Sequence, residues 1–234
     1  MLFRSTLGAL PAGVYAGRIN LSAPDASNPT VQIPVFFTVE RQASAITPNG
    51  IMYAASMRSG AIAPGQIVSI MGERLGPRTP LTNRLNEATG RFAASLGGTR
   101  VSFDGMPGIP LYVSANQINA VVPFELAGRR AVKVSVEAAG YEPAEVADVP
   151  VAATAPGIFS TDGVRAIVLN QDASLNSPAA PAAIGEIIQI FATGQGVTNP
   201  RVETGAISPA AAPFATPRSE EHTSELQSLA YLVC

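Results

Sequence analysis

Apolar stretches in this chain are short, alternate with polar residues, and are cut every few positions by turn residues. Between positions 99 and 153 the cuts fall at Asp104-Gly105, Ser114-Ala115-Asn116, Ala127-Gly128 and Ala139-Gly140, clusters whose backbone preferences end a strand and reverse its direction. Gly and Pro number 21 and 20 among 234 residues, a density that leaves little room for long helices. The apolar share of 47% against 14% charged residues is too rich for a disordered chain. The spacing therefore predicts short strands and an all-β fold.

In residues 44–155 strands are expected at 50–55, 67–71, 99–103, 109–113, 117–122, 131–137 and 144–153. Seven short strands in about 110 residues is the pattern of an immunoglobulin-like β-sandwich. Residues 74–98, rich in Pro, Thr, Asn and Gly, read as a long loop with a helical turn near 83–87.

A second constraint is an internal repeat. Gly65-Gln66-Ile67-Val68-Ser69-Ile70-Met71-Gly72 aligns without a gap, 120 positions on, with Gly185-Glu186-Ile187-Ile188-Gln189-Ile190-Phe191-Ala192, and both copies continue to a Gly turn at Gly76 and Gly196. A period of this length means tandem β-domains, not a short-repeat solenoid. The second copy, 156–217, is expected to be an incomplete sandwich. Counterparts of 99–103 would begin near position 219, leaving an exposed sheet edge that favours aggregation.

Both ends depart from this scheme. Alternation at Val14, Ile19 and Leu21, a turn at 24–29, and alternation at Val31, Ile33, Val35, Phe37 and Val39 predict a hairpin. Two strands cannot bury a core alone, so 1–41 is expected to be the terminal hairpin of an upstream domain that is cut short. After Pro217 the composition changes abruptly. Residues 218–228, Arg-Ser-Glu-Glu-His-Thr-Ser-Glu-Leu-Gln-Ser, read as the translation of a common sequencing-library adapter, and 218–234 are expected to be an artefact.

Setting that tail aside removes His222 and Cys234, the only His and Cys of the chain. It also leaves 14 Lys+Arg (15 less Arg218) and 14 Asp+Glu (17 less Glu220, Glu221 and Glu225). Disulfides, thiolate nucleophiles, His/Cys zinc sites and Ser-His-Asp triads then have no residues to form from. The net charge of −2 over the whole chain offers no footprint for nucleic acid. With no apolar run of about 18 residues, a membrane-spanning segment is not expected.

Four polar features remain. Ser114, Asn116, Gln117 and Asn119 cluster beside Tyr112, where amides suit either sugar hydroxyls or the backbone of a turn; the turn is the expectation. Asn170-x-Asp172-x-Ser174-x-Asn176 has the alternating oxygens of a calcium loop, but an EF-hand would need Gly and Glu where Leu175 and Pro181 stand, so a polar hairpin turn is expected. Gly194-x-Gly196 lacks the third Gly of a dinucleotide loop, Asn199 standing in its place before Pro200. Glu142, Glu145 and Asp148 read as a solvated strand face, not as a facing acid pair. No catalytic, cofactor-binding or metal-ligating residue is assigned.

Four stretches carry a family resemblance: Ala63-Pro64-Gly65-Gln66-Ile67-Val68-Ser69-Ile70; Leu111-Tyr112-Val113-Ser114-Ala115-Asn116-Gln117-Ile118-Asn119-Ala120-Val121-Val122-Pro123; Ala155-Pro156-Gly157-Ile158-Phe159; and Leu169-Asn170-Gln171-Asp172-Ala173-Ser174-Leu175-Asn176-Ser177-Pro178. With these, residues 44–217 resemble the uncharacterised C-terminal domain family of Solibacter-type secreted proteins. Leu10-Pro11-Ala12-Gly13-x-Tyr15-x-Gly17 resembles the closing hairpin of BACON-like domains. The resemblance implies tandem immunoglobulin-like or IPT/TIG-like modules and an extracellular or cell-surface location, and nothing about catalysis. The expected role is a non-catalytic structural or adhesion module of a larger secreted or cell-surface bacterial protein. The alternatives are a carbohydrate-binding accessory module and an appendage of a hydrolase encoded upstream. Partners are a surface glycan or protein, with no cofactor expected.

Overall fold

The computed structural model describes residues 10, 12–25, 27–207 and 216–217. The adapter reading of 218–234 lies outside the described residues. The chain divides into two compact units, Met1–Gln42 and Ala43–Cys234.

In the first unit β1 (Gly13–Ser22) and β2 (Thr30–Val39) form the expected hairpin, in unbroken antiparallel register from Gly13↔Val39 to Ser22↔Thr30. Odd positions pair with odd, so Tyr15, Ile19 and Leu21 share one face with Phe37, Ile33 and Val31. The Tyr15 and Phe37 rings stack on that face with centroids 5.4 Å apart. Ile19, Leu21, Val31 and Ile33 are nonetheless exposed, as are Val14 and Phe36 on the opposite face. Alternation sets which face a residue takes; it supplies no second layer to cover that face.

The second unit is built on β3 (Ala45–Tyr53), β4 (Ile67–Glu73), β5 (Leu81–Thr82), β6 (Leu85–Asn86), β7 (Arg91–Phe92), β8 (Thr99–Phe103), β9 (Met106–Pro107), β10 (Ile109–Val113), β11 (Gln117–Val121), β12 (Ala131–Ala138) and β13 (Ala144–Pro150). Two sheets, β3-β4-β11-β10-β5 and β13-β12-β8-β9, enclose one core. Val68, Ile70, Val113 and Ile118 from the first meet Val101, Phe103, Val134 and Val136 from the second. The fold is all-β, and this half of it is a β-sandwich. β12 shows the cause most plainly: Val132, Val134, Val136 and Ala138 are buried while Lys133 and Glu137 between them are exposed. Burying side chains of this size contributes roughly 1.5–3 kcal/mol each.

Two strands carry irregularities with visible reasons. β12 and β13 slip between Val132↔Val149 and Val134↔Val146, where Asp148 takes φ 55°. An extra residue in a left-handed conformation is how a bulge is made, and Asp tolerates it better than a branched residue. The helical turn expected near 83–87 is absent. Asn86 Oδ1 accepts from the Ala88 and Thr89 N–H groups, and Gly90 supplies a positive φ. That chemistry makes the β6–β7 hairpin instead. A 3₁₀ turn at Phe124–Leu126, which buries Leu126, had no signal in the periodicity.

Beyond β13 follow β14 (Gly157–Ile158), β15 (Val168–Leu169), β16 (Gln189–Ile190), β17 (Ala192–Thr193), β18 (Thr198–Asn199) and β19 (Thr216–Pro217). They form two-stranded pairs only: β14 with β17, β15 with β16, β18 with β19.

The repeat seen in the sequence is also a repeat of register. In the first copy Ala45↔Glu73 and Ile46↔Gly72 pair, then, past a bulge, Ile51↔Ile70 and Met52↔Ser69. In the second, Gly157↔Thr193 and Ile158↔Ala192 pair, then Val168↔Ile190 and Leu169↔Gln189. Each residue of β4 thus meets, 120 positions later, a counterpart with the equivalent partner. The connecting turns match too. Met57 and Ala173 are both non-Gly residues with positive φ, at 54° and 65°. Each donates its N–H back to the residue that opens its turn, Tyr53 or Asn170.

Candidate functional site

The Ser114 cluster holds a turn and then crosses a sheet. Ser114 Oγ accepts from the Gln117 N–H at 3.1 Å, and the Ser114 N–H donates to the Gln117 carbonyl at 2.8 Å, closing the loop between β10 and β11. The Asn116 carbonyl accepts from the Gly72 N–H, fixing the turn to the end of β4. Ser114 and Asn116 are therefore structural.

Asn119 and Gln117 lie elsewhere. Tyr112 pairs across from Thr82 and Asn119, and Asn119 from Ser69. Neighbouring positions Val113, Ile118, Val68 and Ile70 point into the core, so this row faces outward. Asn119 Oδ1 accepts from Ser69 Oγ and from Gln117 Nε2, both at 2.9 Å. The row is a polar ladder with one half-buried aromatic beside it.

The calcium-like loop is the second copy of a turn. Asp172 Oδ1 accepts from the Ser174 hydroxyl at 2.6 Å and from its N–H at 3.0 Å. These bonds, the hydroxyl first, hold its carboxyl below the ordinary aspartate range. Asn170 Oδ1 accepts from Asn176 Nδ2, while Asn170 Nδ2 donates to Ser174 Oγ and the Ala180 carbonyl. The oxygens that would have met a cation are turned onto the loop itself. Among the described residues no cluster of three or more His, Cys, Asp or Glu is placed to hold a metal ion.

Gly194 and Gly196 have a close-packing reason. Both take positive φ, at 88° and 81°, and a side chain at either would run into the Ala155 or Ala153 carbonyl. The Ala155 N–H donates to the Gly194 carbonyl, so this backbone is engaged by its own chain and not arranged as a phosphate cradle.

The carboxylates do not converge. Glu145 pairs with Lys133 at 3.0 Å, and Asp148 sits at the bulge. A groove of about 440 Å³ between the 46–51 segment and β13 has Asp148 as the one carboxylate of its lining.

The 74–98 loop is partly occupied. Phe92 N–H donates to the Gly205 carbonyl, and Arg91 pairs with Glu203 at 2.8 Å. Further contacts bind the later segment to the sandwich. Thr193 Oγ1 accepts from the Ile67 N–H at 2.8 Å, and Thr204 Oγ1 from the Phe124 N–H at 2.9 Å. Residues 78–82 and 86–89 stay largely exposed.

No protein-family model matches the chain, and no curated protein matches it. No helix among the described residues is long and apolar enough to cross a membrane.

Proposed function

We propose that the chain is a non-catalytic, extracellular structural or adhesion module of a larger bacterial protein, built from tandem immunoglobulin-like units. The observation that carries the reading is the duplicated strand pair: β3–β4 and its counterpart β14/β15–β16/β17 share pairing, turn and cap. Duplication of a β-sandwich element multiplies scaffold and surface and does not build a reactive centre. Arg78 and its neighbours at 78–82, together with 86–89, form the loop surface available for attachment. Antibodies raised against the purified chain, applied to fractionated cells of the source organism, are expected to label the cell surface or medium. Labelling confined to the cytosol overturns the reading.

A second reading, a glycan-binding module, is favoured by one feature: the outward row Thr82–Tyr112–Asn119–Ser69, with Gln117 alongside. It places an aromatic ring beside amides on an open sheet face, the combination that contacts sugar. On a glycan array the chain is expected to retain a ligand that Tyr112→Ala weakens about tenfold. An array with no retained glycan removes this reading.

A further inference from the structure

The two copies of the repeat differ in one respect that chemistry must answer. In the first, Val68 and Ile70 are 0% exposed; in the second, their counterparts Ile188 and Ile190 are 46% and 50% exposed. The cause lies on the far side of the strand. β4 has β3 on one edge and β11 on the other, whereas β16 has only β15. Ile187 N–H donates to Gln171 on the β15 side, and the Phe191 carbonyl accepts from Phe159 on that side. Backbone direction alternates along a strand, so Ile188 and Ile190 present their N–H and C=O groups to the opposite edge. No described residue pairs there. An open edge with branched apolar side chains beside it is a template for strand addition.

We propose that this edge accepts an antiparallel strand from a partner polypeptide, with the residue pattern and register that β11 uses on β4. The repeat identifies the occupant. Ile118 lies across from Ile70 and Ala120 across from Val68, so the incoming strand places a branched apolar residue opposite Ile190 and a small one opposite Ile188. Polar residues between them face outward, as Gln117 and Asn119 do. A folded second copy has no such strand to give, because its own β11 is held between β4 and β10. The donor is therefore a polypeptide whose strand is unpaired. The surface belongs to the fold whatever the module attaches to.

The probe is a fluorescent peptide with the sequence of residues 114–123, titrated into the full purified chain and read by anisotropy. Saturable binding is expected. N-methylation at the peptide positions of Ile118 and Ala120, which removes the two N–H groups facing the edge, is expected to weaken it at least about tenfold. Methylation at the Gln117 and Asn119 positions is expected to leave it within about twofold, since those groups face away. On the protein side, Ile190→Asp is expected to abolish binding while leaving far-UV circular dichroism unchanged. Absence of saturable binding overturns the proposal, as do equal losses from both methylation patterns. Concentration-dependent dimerisation that the peptide cannot displace also overturns it, by assigning the edge to a second copy.

Discussion

Gln66 and Glu186, 120 positions apart, accept the same hydrogen bond. Gln66 Oε1 takes the Ala63 N–H at 2.9 Å, and Glu186 Oε2 takes the Ala183 N–H at 2.8 Å. Each closes the turn that leads into its strand, and each follows a Gly with positive φ, Gly65 or Gly185. The two differ in surroundings. Gln66 is fully buried and donates a second bond from Nε2 to the Ala155 carbonyl, whereas Glu186 is exposed. Gln66→Ala leaves buried polar groups unpaired and is expected to cost about 2–4 kcal/mol. Glu186→Ala, whose partners water can replace, is expected to stay within about 0.5 kcal/mol. Urea denaturation of the two variants checks the ordering.

The same contrast holds for the apolar residues. Ile70→Ala opens a cavity between two sheets and is expected to cost about 2–5 kcal/mol. Ile190→Ala removes a side chain that is half in solvent and is expected to cost less than about 1 kcal/mol. Equal losses in urea denaturation would mean that Ile190 is covered.

That pair also marks how far the sequence could be read. Strands 99–103 and 109–113 were legible to the residue, and 117–122 and 131–137 to within one, because turn residues bracket a clean alternation on each side. The expected 144–153 strand stops at Pro150, past which the chain leaves the sheet. The repeat was legible as well, and with it the Gly-led turns. Burial of the second copy was not, since Ile187-Ile188-Gln189-Ile190 has the pattern of a buried strand and nothing local says whether a layer will cover it. The polar features divide the same way. Ser114 and Asn116 behave as a turn, but only cross-strand register, set by residues 50 positions away, puts Asn119 beside Ser69. The 83–87 segment was misread because Asn86 and Gly90 outweigh its weak helical preference.

Gly194 tests the close-packing account of the Gly-x-Gly segment. Gly194→Ala puts a methyl group into the Ala155 carbonyl at a φ of 88°, and is expected to cost at least about 2 kcal/mol. Gly163→Ala is the control: its φ is 79°, yet nothing lies within 4 Å of the added carbon. The backbone conformation alone is expected to cost about 1 kcal/mol there. Thermal unfolding of both variants separates the contact from the conformation. If the losses are equal, the approach of Ala155 contributes nothing.

Asp172 makes the last prediction, on pH. Its carboxyl is held below the ordinary aspartate range first by the Ser174 hydroxyl and then by the Ser174 N–H, both of which favour the ionised form. A group whose pKa is depressed on folding stabilises the fold fully above its unfolded value, and that contribution is lost as pH falls through the folded value. The loop is therefore expected to loosen only at a pH below the usual aspartate midpoint. Carboxyl-carbon NMR titration is expected to place the Asp172 midpoint below that of a free aspartate. In Ser174→Ala the midpoint is expected to move up yet stay short of the ordinary value, because the backbone N–H bond at 3.0 Å survives. Val164 and Arg165 N–H groups hold Asp162 down in the same way, and its midpoint is expected to be unaffected by Ser174→Ala. An Asp172 midpoint that ignores the substitution would break the link between this carboxyl and the turn it closes.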